Sequence, residues 1–319
     1  MLGVKGSFGN RAQKPVLRGF TPAMFKRNNL NENFGSPAEE SDGKYSNIQD
    51  VYNDNLHEEM DKIVEIVDDY PYVAIDTEFP GVVAKPLGKF STSSEYRYRS
   101  LKCNVDLLKI IQLGISFYDK DGNRRPGVCT WQFNFKFNLG VDMYAQDSID
   151  LLTKSGLNFK LHEEKGIDVN EFGALLITSG LVLTEDVCWI SFHGGYDYGY
   201  LLKVLTNDTL PDKESEFFEL YHTFFIRSYD LKYMMKSCED LKGGLDKLAD
   251  DLKVIRIGPQ HQAGSDSLLT AASFFSMREQ YFEDEIDEEK FMGVLYGLGE
   301  GGPNGPSQRS SPSIRPPAQ

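Results

Sequence analysis

Positive charge is scarce in this sequence. Its 319 residues hold 34 lysines and arginines against 48 acidic residues, a formal net charge of −14. Lys5, Arg11, Lys14, Arg18, Lys26 and Arg27 all fall near the start, where no acidic residue occurs, so the remainder is more acidic still. Such a body excludes a broad electrostatic nucleic-acid surface, and a polyanionic substrate would need bound cations or a local basic lining. No apolar run approaches the roughly eighteen residues of a membrane-spanning helix, so none is expected. The start lacks the apolar stretch of a secretory signal and resembles a transit peptide only weakly. Cysteine is sparse too: Cys103, Cys129, Cys188 and Cys238 are widely spaced, with no C-x-x-C pair. That excludes a zinc or disulfide framework and predicts reduced thiols of an intracellular protein.

What is present suffices for a substantial core: 40% of residues are hydrophobic and 12% aromatic. Residues 1–45 are rich in Gly, Asn, Pro and Ser without periodicity, which predicts a disordered arm. The low-complexity end, residues 299–319, predicts a flexible tail, leaving one folded domain over 46–298. Within it, "NLHEEMDKIVEIVDDY" has the periodicity of an amphipathic helix, with Asn55 and Glu58 placed as a capping box. Strands are expected in "YPYVAIDTEFPGVV", in "VDLLKIIQLGISFYD" with "KDGN" as its turn, and in "GVCTWQFNFKFNL". A mainly helical stretch from about 145 to 185 follows. Then come strand "VCWISFH", helix "YDYGYLLKVLT", strand-into-helix "RSYDLKYMM" and helices in "GGLDKLADDL" and "SDSLLTAASFFSMREQYF". Strand hairpins followed by alternating helices and strands predict an α/β fold, one mixed sheet flanked by helices on both faces.

The run "AIDTEF" is costly for a strand. Residues two apart share a face, so Asp76 and Glu78 point one way and Ile75 and Thr77 the other. Neighbouring carboxylates repel and lose hydration unless something cationic compensates. Two more segments carry candidate chemistry: "SFHGGYDYGYLLK" with Asp197 near a helix start, and "IGPQHQAGSDSLLT" with His261 just before Asp266, a helix starting at Ser265 or Asp266. Four carboxylates from separate elements suit two magnesium or manganese ions, hard cations that bind oxygen, activate water and stabilise a phosphodiester leaving oxygen. An imidazole suits acceptance of the water's proton. Read singly, Asp76 with Glu78 is more readily a chance strand pair, Asp197 and Asp266 a helix cap or first-turn carboxylate, His261 a satisfied loop histidine and His193 a packed strand end. Phe79 could stack a base or belong to the core. Lys109 could meet a phosphate or snorkel from an apolar strand, and Arg99 and Lys102 are weaker candidates for the same role. "GLGEGG" at 297–302 matches a dinucleotide fingerprint but no helix can follow it, and "GSDS" lacks the nucleophile-elbow frame.

Together, "DTEFPG", "NVDLLKIIQLG", "TWQFNFKFNL", "DMYAQDSIDLL", "SFHGGYDYGYLLK", "DLKYMMKSC", "GGLDKLAD" and "IGPQHQAGSDSLLT" resemble the CCR4-associated factor (Caf/Pop-type) poly(A) ribonucleases. These are DEDD exonucleases of the histidine-bearing branch. The resemblance spans roughly residues 46–298. It implies a ribonuclease-H-like three-layer fold and 3′-to-5′ removal of mRNA poly(A) tails with release of 5′-AMP. It implies two divalent ions held by Asp76, Glu78, Asp197 and Asp266, with His261 as general base. It also implies work within the CCR4-NOT complex, beside its NOT scaffold and a second deadenylase, in cytoplasm and nucleus. Two rivals are a non-catalytic scaffold that keeps the fold and an RNA-binding regulator without cleavage.

Overall fold

In the computed structural model, which describes residues 47–299, the apolar run around Asp76 becomes a central strand of a six-stranded sheet. The strands are β1 (Ile48–Val51), β2 (Tyr72–Glu78), β3 (Gln112–Tyr118), β4 (Thr130–Asn134), β5 (Cys188–Ser191) and β6 (Arg227–Asp230). The helices are α1 (Leu56–Ile66), α2 (Ser93–Leu107), α3 (Gln146–Lys154), α4 (Phe159–Lys165), α5 (Val169–Thr178), α6 (Gly195–Thr206), α7 (Glu214–Phe224), α8 (Leu231–Met234), α9 (Leu245–Leu252), α10 (Ala263–Phe282) and α11 (Glu288–Phe291). The expected arm, 1–45, and all but the first residue of the expected tail lie outside the described residues.

The sheet order is β1-β4-β3-β2-β5-β6. β2, β3 and β4 form an antiparallel meander, while β5 and β6 extend it in parallel and β1 pairs β4 in parallel at the other edge. This is the mixed sheet of the ribonuclease-H-like fold. Strand alternation sorts the sheet between two cores. Val73, Ile75, Leu113, Ile115 and Phe117 pack with Leu56, Ile63, Tyr98, Phe172, Leu201 and Phe217 from α1, α2, α5, α6 and α7. Ala74, Tyr118 and Ile190 pack with Leu248, Leu252, Leu268, Phe274 and Met277 from α9 and α10. Helices thus flank both faces, and Asp76 and Glu78 fall on the α10 side by the same alternation that places Ala74 there.

Several local expectations are corrected. The second strand begins at Gln112, not near Val105, because residues 93–107 form α2. The signal for it was present: Tyr98, Leu101, Asn104 and Val105 are buried three and four apart, and Thr92 caps the helix by accepting from the Glu95 N–H. Lys109 therefore lies in the α2–β3 connection, not on a strand. Helix α7 was also unanticipated, its aromatics Phe217 and Tyr221 being one turn apart. So was β1, four residues that are too short to show a period. The capping box at Asn55 does not form. Asn55 Oδ1 instead accepts the Tyr52 N–H at 2.8 Å and its amide donates to the Asp50 carbonyl at 3.1 Å, while Glu58 pairs with Lys62 at 2.7 Å. The third strand is shorter than its pattern, since Phe135 leaves β4 to bridge Ile167. The "KDGN" turn is there: the Asp119 N–H donates to the Asn123 carbonyl at 3.0 Å around Gly122, at φ +84°. The stretch from 145 to 185 resolves into α3, α4 and α5.

Candidate active site

Three chain segments converge on the end of β2. The strand delivers Asp76 and Glu78 on its α10 face, and Thr77 between them points into the other layer. There the Thr77 hydroxyl donates to Asp197 Oδ1 at 2.5 Å. Asp197 is buried in the first turn of α6, where its negative charge also suits the helix dipole. The corner before α6 is tight: a Cβ on Gly194 would come within 2.3 Å of Ser191 Oγ. Asp230, buried at the end of β6, fixes this corner by accepting the N–H groups of His193 (2.9 Å), Gly194 (3.2 Å) and Tyr296 (3.0 Å).

Asp266 arrives on α10, which begins at Ala263, two residues before the earliest expected start. The helix end is stapled to the sheet. The Gly264 N–H donates to Gln132 Oε1 at 2.9 Å, and Ser267 and Ser116 hydroxyls meet at 2.9 Å. Gly114, which faces Asp76 across β2 and β3, permits this approach, for a Cβ there would sit 1.9 Å from the Ala263 carbonyl oxygen. His261 precedes the helix with φ +58°, a left-handed geometry that turns the chain back so that its N–H donates to Asp266 Oδ2 at 3.0 Å. Ligating atoms of Glu78, His261 and Asp266 all lie within 4.8 Å of one another.

The charge balance is lopsided. Burial, with Asp266, Asp197 and Glu78 as neighbours, pushes the Asp76 carboxyl well up. Burial and the charges of Asp266 and Asp197 push Glu78 up to about 8. Burial raises Asp197 to about 7 against the opposing Thr77 hydrogen bond, and it raises Asp266 despite the cation beside it. That cation is Arg256, whose Nη1 donates to Asp266 Oδ1 at 2.5 Å. One guanidinium against four carboxylates leaves a deficit of positive charge, and the oxygen-rich donor set suits hard divalent ions. The residues present therefore fit a magnesium or manganese site.

The structure thus gathers Asp76, Glu78, Asp197, His261 and Asp266. It does not bring Lys109 among them: its ammonium pairs with Asp142 at 2.6 Å. Phe79 stacks on Tyr196 with centroids 4.9 Å apart and tilts against Tyr200 at 5.2 Å, so one ring face is already covered. Lys102 is held by Asp106 at 2.8 Å and the Leu210 carbonyl. The His193 ring stands edge-on to Tyr296 at 5.0 Å. Sequence reasoning missed Arg256, whose signal was a charge set between apolar residues in "VIRI", and Thr77, the polar residue on the nominally apolar side of β2.

A family described as CAF1 family ribonuclease matches residues 51–172. The poly(A) ribonuclease pop2 of Schizosaccharomyces pombe is 52% identical over 276 residues, 86% of this chain and 82% of that protein. The structure of S. pombe Pop2p in its Mg2+- and Mn2+-bound form superposes with a TM-score of 0.78 at 54% identity, covering 79% of this chain and 100% of that one. A yeast structure of the NOT1 MIF4G domain co-crystallised with CAF1 gives a TM-score of 0.67 at 35% identity, covering 78% of this chain and 96% of that one.

Proposed function

The chain belongs to the CAF1 family of ribonucleases, and on that premise we propose that it is a 3′-to-5′ exoribonuclease that shortens mRNA poly(A) tails, releasing 5′-AMP, as a subunit of the CCR4-NOT complex. Its action promotes mRNA decay and translational repression. The observation that carries this reading is the convergence of Glu78, His261 and Asp266, donor atoms within 4.8 Å, on a strand whose acids lack compensating charge.

Asp76, Glu78, Asp197 and Asp266 would hold two magnesium or manganese ions, which would supply the charge to activate a water and to stabilise the leaving oxygen of the scissile phosphodiester. His261 accepts the water's proton on a ring nitrogen, and its backbone N–H, bonded to Asp266, fixes the distance between base and acid. Thr77 orients Asp197, and Arg256 orients Asp266. Phe79, which follows Glu78 and packs on Tyr196 and Tyr200, would stack the terminal base, while Lys109 is occupied by Asp142.

The partners are the poly(A) tail of mRNA, the NOT scaffold subunit and the second deadenylase of the complex. The NOT1–CAF1 co-crystal supports the scaffold contact. No helix among the described residues is long and apolar enough to cross a membrane. We place its action in cytoplasm and nucleus, and four free thiols fit such a reducing compartment. Microscopy of a tagged full-length chain tests that assignment, and an exclusively organellar signal would overturn it.

The experiment for the activity is a time course on 5′-labelled RNA ending in adenosines. With magnesium a ladder should shorten from the 3′ end, and EDTA should stop it. Asp76→Ala should slow it by about 100-fold or more, the kinetic equivalent of several kcal/mol. A substrate left intact under magnesium and manganese alike would favour the scaffold reading.

A further inference from the structure

The loop between α9 and α10 is tied across its neck by Arg256. Nη1 donates to Asp266 Oδ1 at 2.5 Å and to Ser265 Oγ at 3.0 Å, and the Ser265 hydroxyl donates to the Ile257 carbonyl at 2.8 Å. The other edge of the guanidinium is held from outside the acid cluster. Nε and Nη2 both donate to Asp246 Oδ1, at 3.0 and 2.7 Å. Asp246 lies in the first turn of α9, half-exposed, and the Gln260 side chain also bonds it. It has no place among the candidate metal ligands, yet it is tied to both ends of the loop that presents His261.

A guanidinium presents paired donors that fit a carboxylate bidentately. With Asp246 occupying one edge, only Nη1 reaches Asp266, and it engages a single oxygen. Released from Asp246, the planar fork could close on both oxygens of Asp266 and neutralise charge that the divalent ions require. We propose that Asp246 is a positioning residue that acts through Arg256: it restrains the guanidinium from competing with metal for Asp266. The proposal rests on the two-metal reading above. Arg256 keeps the acid oriented but lowers the negative charge of the site, so removing each partner has a different consequence.

The test is Mn2+ binding to the metal-free full-length chain, by electron paramagnetic resonance of free Mn2+ and by calorimetry, without RNA. Asp246→Asn should weaken binding about tenfold, the scale at which residues behind metal ligands act. Arg256→Met should not weaken it and should tighten it roughly threefold, because a positive charge has left the site. The double variant should behave like Arg256→Met, since Asp246 has nothing left to restrain. Asp246→Glu, still charged, should restore most of the affinity, a comparison that holds even where Asp246→Asn proves unstable. Equal weakening by Asp246→Asn and Arg256→Met, or weakening that persists in the double variant, would overturn the proposal. A wild-type chain that takes up no Mn2+ would overturn the metal reading beneath it, which is a separate result.

Discussion

Glu78 and Asp197 show how a residue's cost can be read as a requirement. Without metal, the folded chain keeps a proton on Glu78 up to about pH 8 and on Asp197 up to about pH 7, against ordinary values of 4.5 and 3.8. Between those ordinary values and the raised ones, the folded state binds more protons than the unfolded state. The stability these groups contribute is therefore complete at low pH and is lost as pH rises through the window. The Tm of the metal-free chain should fall between about pH 5 and pH 8, and saturating magnesium should remove the fall by supplying the missing positive charge. A flat metal-free profile would mean that the acids are better solvated than their burial indicates. At this scale the candidates were legible only in combination: two carboxylates in an apolar strand were costly, whereas an acid at a helix start and a histidine in a glycine-bearing loop read singly as ordinary and gained meaning only when taken together. Arg256 and Asp246 were not legible, because an ion pair has no period or spacing, and only the folded loop shows whom an arginine faces.

Among elements, the junction of α10 with β3 decides whether the site closes. Gly114 lets the Ala263 carbonyl approach where any side chain would collide, and Gln132 and Ser116 then bond the helix end. Gly114→Ala should cost about 1–3 kcal/mol in chemical denaturation, as overpacking of a tight interface does. It should also weaken Mn2+ binding, since Asp266 rides on the displaced turn. Unchanged stability would show that the helix end can shift freely, contrary to its hydrogen bonds. Strands β2 and β5 could be read as apolar runs and α10 as a long stretch without helix breakers, not from a period: β5 is buried throughout and α10 on most sides. Helices α2 and α7 could have been read but were obscured by mixed polar and aromatic composition, and the four residues of β1 gain strand geometry only by pairing with β4. Asn55 shows the limit of local motifs: the same side chain that could cap α1 closes the preceding turn instead.

Over the whole molecule, a net charge of −14 sets how substrate is met. Few phosphates can find lysine or arginine, so log affinity for oligoadenylate should fall with log salt at a slope of about −2 or shallower, the signature of few neutralised phosphates on a single strand. A steep slope would reveal a basic track along the surface. Such a shallow slope would fit the proposed recruitment to substrate by the NOT scaffold. The fold class was legible as a whole because hairpin strands precede alternating helices and strands; the pairing of β1 was not, since it joins residues about 80 positions apart through four residues of strand. The arrangement of the site along the chain has a further consequence. Asp76 is made early, whereas Asp266 stands on the long helix near the end of the described chain, and the sheet face beneath that helix stays bare until it docks. The site therefore cannot assemble during synthesis until α10 has been made, long after the strand that carries Asp76. An apolar sheet face left open during that delay needs shelter by chaperones.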